Sequence, residues 1–222
     1  MKLGVLFSGG KDSTYAAYLA RTEGYKVACL ISIQSKDPHS FMFHTPSISQ
    51  VEKQAEVMGV PIVIKSTKGE KEIELSDLKQ AIEEAIKTHN IEGIVTGAVQ
   101  SVYQATRIQK ICNELNIECF NPLWQKDQLE LLGDLIDARF KVIITGIAAH
   151  PLDETWLGKE IDQGFIKRIA KLGKDFNINP AGEGGEFESL VLDCPLFSRP
   201  LTISKKKTTG KGNSCSLEVS LS

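Results

Sequence analysis

Short apolar runs alternate with helix-like segments along the first two thirds of the chain. The runs are apolar at most successive positions, a pattern typical of strands that are buried on both faces. The predicted strands are Leu3–Phe7, Lys26–Ile33, Pro61–Lys65, Gly93–Thr96 and Ile117–Phe120.

Helical periodicity fills the segments between these runs. In the third segment, apolar residues from Ile73 to Ile86 recur mostly three and four positions apart, with Glu and Lys on the other face. The alternation of strand and helix predicts an α/β fold with right-handed crossovers and helices on both faces of a parallel sheet. The predicted helices are Asp12–Arg21, Ile48–Met58, Glu70–Lys87 and Gln104–Leu115.

The pattern changes after Pro122, and we predict one domain over residues 1–124 and a second, smaller α+β domain over residues 125–222. Lys205–Gly212, rich in Lys, Thr and Gly, is predicted to be an exposed loop between the last two strands. The predicted elements of the second domain are the helices Asp127–Ala138 and Asp162–Phe176 and the strands Lys141–Ile147, Phe187–Leu192, Leu201–Ile203 and Ser216–Leu221.

Composition narrows the class of protein. The chain has 222 residues, is 41% hydrophobic and carries a formal charge of −2, which suits a globular protein and argues against a nucleic-acid partner. No apolar stretch approaches the roughly 20 residues of a membrane span, and no signal peptide is apparent, so we expect a cytoplasmic protein without a membrane partner. The five cysteines contain no C-x-x-C pair and are read as reduced and mostly buried.

The segment Ser8-Gly9-Gly10-Lys11-Asp12-Ser13 follows the first strand and opens the first helix. Backbone N–H groups and the helix dipole make such a junction an anion site. The two glycines allow close approach of a phosphate, Lys11 adds a positive charge, and Ser8 and Ser13 offer hydroxyls. Asp12 can cap the helix or act as a ligand of phosphate-bound Mg²⁺.

Two common phosphate loops do not match this segment. A Walker A loop would need Gly at position 5 and Ser or Thr at position 12, where the chain has Val5 and Asp12. The G-x-G-x-x-G fingerprint fails because Gly9 and Gly10 are adjacent. The segment resembles the PP-loop of the N-type ATP pyrophosphatases, a resemblance that implies cleavage of ATP between its α and β phosphates, with AMP and pyrophosphate as products.

Further segments resemble the diphthamide synthase (diphthine–ammonia ligase) family, especially its compact archaeal forms. They are residues 41–45 (FMFHT), 97–107 (GAVQSVYQATR), 122–124 (PLW), 152–158 (LDETWLG) and 183–188 (EGGEFE). The resemblance implies a Rossmann-like (HUP-type) nucleotide domain of five parallel strands and a C-terminal domain that faces it across a cleft.

Candidate site residues follow partly from position and partly from this resemblance. Gly97 ends a strand, and ligands of open α/β sheets bind at the carboxyl ends of strands. Arg107 lies one helical turn beyond Tyr103 and could hold a phosphate or carboxylate, or form a surface ion pair. Adenine is expected at Leu30, Ile31, Ser32 and Gly97, and the wider cleft at His44, Ser101, Tyr103, Gln104, Arg107 and Glu188.

Lys11, Glu183 and Glu186 are the candidate catalytic residues. Carboxylates such as Glu183 and Glu186 could hold Mg²⁺ or accept a proton from ammonium, and the sequence leaves both roles open. Trp124 and Trp156 are interpreted as packing or cleft-wall residues.

The resemblance implies an ATP-dependent ligase that adenylates the carboxylate of diphthine on elongation factor 2, after which ammonia displaces AMP and yields diphthamide. ATP and Mg²⁺ are the implied cofactors, and a homo-oligomer is left open. Two alternatives remain: a PP-loop enzyme that adenylates a tRNA base or a small carboxylic acid, and a regulator that senses ATP without ligation. The missing cysteine pair and the near-neutral charge argue against the tRNA version.

Overall fold

A computed structural model describes residues 1–35, 48–67 and 71–222. These residues divide into two compact units. The first unit contains Met1–Ser8 and Asp12–Trp124. The second unit contains Gln125–Ser222 together with the short segment Gly9–Lys11.

The first unit is built on a five-stranded parallel sheet with strand order β3-β2-β1-β4-β5. The α/β fold predicted from the apolar runs is confirmed, and each predicted strand of this sheet is found within two residues of its expected ends. The strands are β1 (Lys2–Leu6), β2 (Lys26–Ser35), β3 (Ile62–Thr67), β4 (Gly93–Val95) and β5 (Glu118–Phe120).

The crossover helices carry apolar faces that pack on this sheet. Leu78 and Ile82 are fully buried in one cluster with Ile31 and Ile94 of the sheet, as the periodicity of that helix predicts. Ile73, in the first turn of the same helix, remains 36% exposed. The helices are α1 (Lys11–Thr22), whose first residue groups with the second unit, α2 (Ile48–Met58), α3 (Lys71–His89) and α4 (Val102–Leu115).

The order of the strands reverses direction between β1 and β4. The chain runs from β1 outward through β2 to β3, then returns to place β4 on the other side of β1. In open α/β sheets this reversal leaves a crevice beyond the carboxyl ends of the two central strands, where ligands bind. The segments that follow β1 and β4 are therefore the ones the fold brings to such a crevice.

The second unit contains a four-stranded antiparallel sheet with strand order β7-β6-β9-β8. Asp127 and Asp162 cap the two helices of this unit, their carboxylates accepting backbone N–H groups of the first turn. Its elements are α5 (Gln128–Asp137), β6 (Lys141–Ile147), a 3₁₀ turn (Glu154–Trp156), α6 (Gln163–Phe176), β7 (Phe187–Asp193), β8 (Ile203–Lys211) and β9 (Ser214–Leu221).

The predicted loop at Lys205–Gly212 is wrong. Ile203–Lys211 forms strand β8, paired antiparallel with β9, and the turn falls at Gly212 and Asn213. Most side chains of β8 are exposed, so polar residues occupy both faces and the alternation that identifies a strand is missing. Lysines on an edge strand also oppose pairing with another chain.

The five cysteines all lie in described ranges, and none of them forms a disulfide. Burial raises the pKa of the Cys29 thiol to about 12, so this thiol stays protonated at neutral pH. A hydrogen bond between the Cys112 and Cys119 side chains raises the pKa of Cys112 and lowers that of Cys119. In the described ranges, no helix is long and apolar enough to cross a bilayer.

Replacement of Leu78 tests the core that supports the sheet. Leu78 is 0% exposed, so Leu78→Ala is expected to lower the free energy of unfolding by about 2–5 kcal/mol. Ile73→Ala, on the same helix, is the matched control and should cost about 0.5 kcal/mol or less. Urea denaturation followed by circular dichroism measures both, and equal losses would contradict the assigned core.

Candidate active site

In the loop after β1, Ser8 and Ser13 at its two ends form hydrogen bonds with each other. The Ser8 N–H donates to Ser13 Oγ at 3.3 Å, and the two hydroxyl oxygens lie 3.1 Å apart. Gly9 has a φ of 78°, in the left-handed region that glycine adopts without strain. Helix α1 begins at Lys11, so its first N–H groups and the positive end of its dipole lie at this loop.

Gly97, just beyond β4, lies directly against the first turn of α1. A Cβ at this position would lie 2.7 Å from both the carbonyl carbon of Asp12 and the amide nitrogen of Ser13. Glycine is therefore required because two backbone segments pass closer than any side chain allows. The sequence singled out Gly97 as an adenine contact, and that role stays a prediction.

Within the second unit, the residues Gly9–Lys11 lie along strand β7. The Val191 N–H donates to the Gly9 carbonyl at 3.2 Å, and the Lys11 N–H donates to Ser189 Oγ at 3.2 Å. The Lys11 ammonium lies 5.6 Å from the ring centroid of Phe187, and Lys11 is only 4% exposed. Sequence reasoning missed Ser189 and Val191 because both have the residue types of an ordinary strand.

The N-terminal half of α4 brings together four predicted cleft residues, Ser101, Tyr103, Gln104 and Arg107. Ser101 is the N-cap, and its hydroxyl accepts the Gln104 N–H at 3.3 Å. Arg107 stacks on Tyr103, with the guanidinium carbon 3.4 Å from the ring centroid, as the four-residue spacing predicts. Stacking orients the planar guanidinium.

Leu30, Ile31 and Ser32 lie in the interior of β2, each at most 1% exposed. The Leu30 N–H donates to the Pro61 carbonyl and the Ile31 carbonyl accepts the Phe7 N–H, both at 2.8 Å. Ser32 Oγ is buried and, among the residues that the structure describes, has no hydrogen-bond partner. A buried unpaired hydroxyl is costly unless a ligand or water satisfies it, which fits a polar ligand at the predicted adenine position.

The segment 183–188 leads into β7 through a tight glycine turn. Gly182 and Gly185 have φ values of 77° and 81°. The carboxylate of Glu186, which is 7% exposed, accepts the Asn179 N–H and side-chain amide on Oε1 at 2.9 and 2.6 Å, and the Gly184 N–H on Oε2 at 2.8 Å. Both oxygens of Glu186 therefore bind the turn itself.

Glu183 is half-buried in this turn, and Glu188 lies opposite Gly146 in the pairing of β7 with β6. A Cβ on Gly146 would lie 3.0 Å from the Cβ of Glu188, so this glycine leaves room for the glutamate.

His44 lies outside the described residues. Within them, no group of three or more His, Cys, Asp and Glu side chains is arranged to hold a metal ion, and Asp12 has a buried Oδ1 at the loop.

The segment 152–158 forms the 3₁₀ turn of the second unit. Asp153 caps this turn by accepting the Thr155 N–H at 3.0 Å. Hydrogen bonds from the Thr155 hydroxyl and backbone hold the pKa of the Asp153 carboxyl below its usual value. Trp156 packs edge-on against Phe165 with the ring centroids 5.4 Å apart, which agrees with a packing role.

Trp124 lies in the first unit and is 36% exposed. It lines an open groove of about 570 Å³ together with Asn121 and the residues of α4 that follow Gln104. The other lining residues are Ala105, Thr106, Gln109, Lys110 and Asn113. Five of the seven lining residues have polar side chains, and the groove is open to solvent.

Fold and loop together define the class: a parallel α/β protein with a glycine loop at a helix N-terminus beside the reversal of strand order. Two family models match nearly the whole chain, the diphthamide synthase N-terminal domain over residues 1–119 and the diphthamide synthase C-terminal domain over residues 127–219. The chain therefore belongs to the diphthamide synthase family, which confirms the family predicted from the motifs.

Relatives named diphthine–ammonia ligase are similar over most of the chain. The protein of Schizosaccharomyces pombe is 32% identical over 99% of this chain, which spans 39% of that relative's length. The protein of Bos taurus is 30% identical over 93% of this chain and 84% of its own length. A solved structure from Methanocaldococcus jannaschii, described as a predicted subunit of tRNA methyltransferase, is 20% identical, covers 85% of this chain and 95% of its own, and has a TM-score of 0.44, too low to support an argument.

Replacement of Gly97 tests the close approach of β4 to α1. Gly97→Ala places a methyl group 2.7 Å from backbone atoms of Asp12 and Ser13, so the backbone at the start of α1 must shift, and the predicted anion site at this loop would lose its geometry. We expect the Kd for ATP, measured by calorimetry, to rise about 100-fold. The control is Gly133→Ala, because a Cβ on Gly133 meets nothing within 4 Å. Equal ATP affinity in both variants would contradict the assignment.

Proposed function

We propose that the protein is an ATP-dependent ligase that converts diphthine on elongation factor 2 to diphthamide, with ammonium as the nitrogen source. Membership of the diphthamide synthase family supports the acceptor. The observation that carries the ATP half is the glycine loop at the start of α1, beside the reversal of strand order. A cytoplasmic location follows from an acceptor that works in translation.

In this proposal the loop Ser8–Ser13 binds the β and γ phosphates of ATP. Its helical N–H groups and the buried Lys11 ammonium stabilise the negative charge that develops on departing pyrophosphate. Mg²⁺ bound to these phosphates would take the Asp12 carboxylate as its protein ligand, since carboxylate and phosphate oxygens suit this ion. Adenine would lie against Leu30–Ser32, where the Ser32 hydroxyl is available for a hydrogen bond, and against Gly97.

The reaction proceeds in two balanced steps. A carboxylate oxygen of diphthine attacks the α phosphorus of ATP, the bond to the bridging oxygen breaks, and pyrophosphate leaves with its electron pair. Ammonia then attacks the acyl carbon, AMP leaves, and the nitrogen loses a proton to give the amide. Loss of a proton from ammonium requires a base. We assign this role to Glu183 because its turn leads directly into β7, the strand that binds the segment Gly9–Lys11 of the loop.

Cleft residues complete the proposed site. The Arg107 guanidinium, oriented by the Tyr103 ring, is suited to a bidentate contact with a phosphate or carboxylate. Ser101, Gln104, Glu188 and His44 are proposed to line the path of the acceptor side chain. Residues 125–222 would bind elongation factor 2 around the diphthine.

The acceptor requirement tests the whole proposal. Purified protein with ATP and Mg²⁺ should release AMP and pyrophosphate in equal amounts only when elongation factor 2 bearing diphthine and ammonium are both present. The amide product adds one nitrogen and removes one oxygen, which mass spectrometry of the modified peptide detects. Turnover of ATP that is indifferent to this acceptor would refute the function.

Lys11 offers a narrower test of the loop. Lys11→Ala should lower kcat for pyrophosphate release at least about 100-fold, because a positive charge at the leaving group is removed, while the melting temperature stays within a few degrees. Lys171→Ala, on the exposed side of α6, is the control and should behave as wild type. Unchanged pyrophosphate release in Lys11→Ala would remove the loop from the mechanism.

A further inference from the structure

Glu186 is placed as an anchor of the turn between α6 and β7. Three N–H donors, from Asn179 and Gly184, occupy both of its carboxylate oxygens at 2.6 to 2.9 Å. Glu186 is 7% exposed. Binding a metal ion or taking a proton would break hydrogen bonds that are costly to lose in a buried place, so this glutamate is poorly suited to act on a substrate.

Asn179 continues the network away from Glu186. Its side-chain amide donates to Glu186 Oε1, and its Oδ1 accepts the side-chain amide of Gln128 at 3.2 Å. Gly184 is confined by the same contact, since a Cβ there would lie 2.7 Å from both Asn179 Nδ2 and Glu186 Oε1. A side chain at this glycine would therefore have to displace Asn179 or Glu186 from the hydrogen bond between them.

Gln128 closes the network from a different element. It is the first residue of α5, directly after the N-cap Asp127, and is 9% exposed. Its Oε1 accepts the Ala181 N–H at 2.9 Å while its Nε2 donates to Asn179. One glutamine side chain thus binds two points of the segment 179–186 from a residue more than 50 positions earlier in the chain.

We propose that Gln128, Asn179 and Glu186 are positioning residues that hold the segment 179–186 in the shape that presents Glu183 to the reaction. This inference rests on the proposed function. It assigns the two glutamates different tasks. Glu183 accepts the proton from ammonium, and Glu186 holds the backbone of the turn in which Glu183 lies. Buried and mutually bonded polar side chains fix a single conformation more strictly than apolar packing does, which suits a residue that must be held near a reacting atom.

Removal of the Gln128 amide is the direct test. Gln128→Leu keeps the side chain close in size and removes its hydrogen bonds to Asn179 and Ala181. The kcat for amide formation should then fall about 10- to 100-fold, because a misplaced catalytic group is costly. The KM for ATP should change less than about twofold, since the Gln128 hydrogen bonds that are lost bind Asn179 and Ala181 and not the residues of the glycine loop at positions 8–13. Gln163→Leu is the matched control: Gln163 is also the first residue of a helix, follows an Asp N-cap, and is exposed.

A second readout separates positioning from general stability. In Gln128→Leu, amide hydrogen exchange should become faster at Ala181 and Gly184 and stay unchanged in the parallel sheet. The double variant Gln128→Leu with Glu186→Gln should be no slower than the slower single variant, because both act through one network. Should Gln128→Leu not fold, Gln128→Glu keeps the acceptor for the Ala181 N–H and should show an intermediate kcat.

Two outcomes would overturn the proposal: kcat in Gln128→Leu equal to that in Gln163→Leu, or a double variant whose losses multiply. A uniform rise in exchange across the chain, with kcat restored by lower temperature, would assign Gln128 to stability alone and would also overturn it. If wild-type protein formed no amide with diphthine, the proposed function would fall, while the exchange pattern would still show whether the network holds the segment.

Discussion

The proposed chemistry depends on one close contact between two backbone segments, which leaves no room for a side chain at Gly97. The end of β4 passes the first turn of α1 at Gly97, where a Cβ would lie 2.7 Å from two backbone atoms. This contact supports the turn in which the N–H groups of α1 begin, while Ser8 and Ser13 close the loop before it. An anion site made of N–H groups needs such support, because several donors must point to one place at the same time.

The turn before β7 also combines glycines with polar side chains that hold its shape. Its glycines adopt positive φ or leave space for a polar pair, and its shape is held by Gln128 from α5. Strand β7 follows directly, and along it Ser189 and Val191 bind the segment Gly9–Lys11. Within the second unit, the glutamate turn and the segment Gly9–Lys11 of the glycine loop are therefore both connected to one strand.

Hydrophobic pattern predicted the parallel sheet well because β1, β2 and β4 are buried over half or more of their length, and a strand buried on both faces is apolar at successive residues. The same reasoning failed at Lys205–Gly212, where an exposed edge strand has polar residues on both faces. At the candidate site, glycines and charged residues led to the predicted roles of the loop Ser8–Ser13 and the turn 183–186, and these roles stay predictions. Gln128, Asn179 and Ser189 escaped notice, since an isolated Gln, Asn or Ser is ordinary in a sequence and matters here only through its partner.

By itself the sequence determined the α/β class and the family, and it predicted an anion loop at Ser8–Ser13, because these depend on residue types at short spacing. Only the tertiary structure decided that Glu186 binds its own turn, that Gly97 is a site of backbone contact, and which side chains hold the two loops. The physical reason is that hydrogen bonds and steric contacts join residues far apart in the chain, as Gln128 and Ala181 do. Such partners are selected by how the elements pack, which no local pattern records.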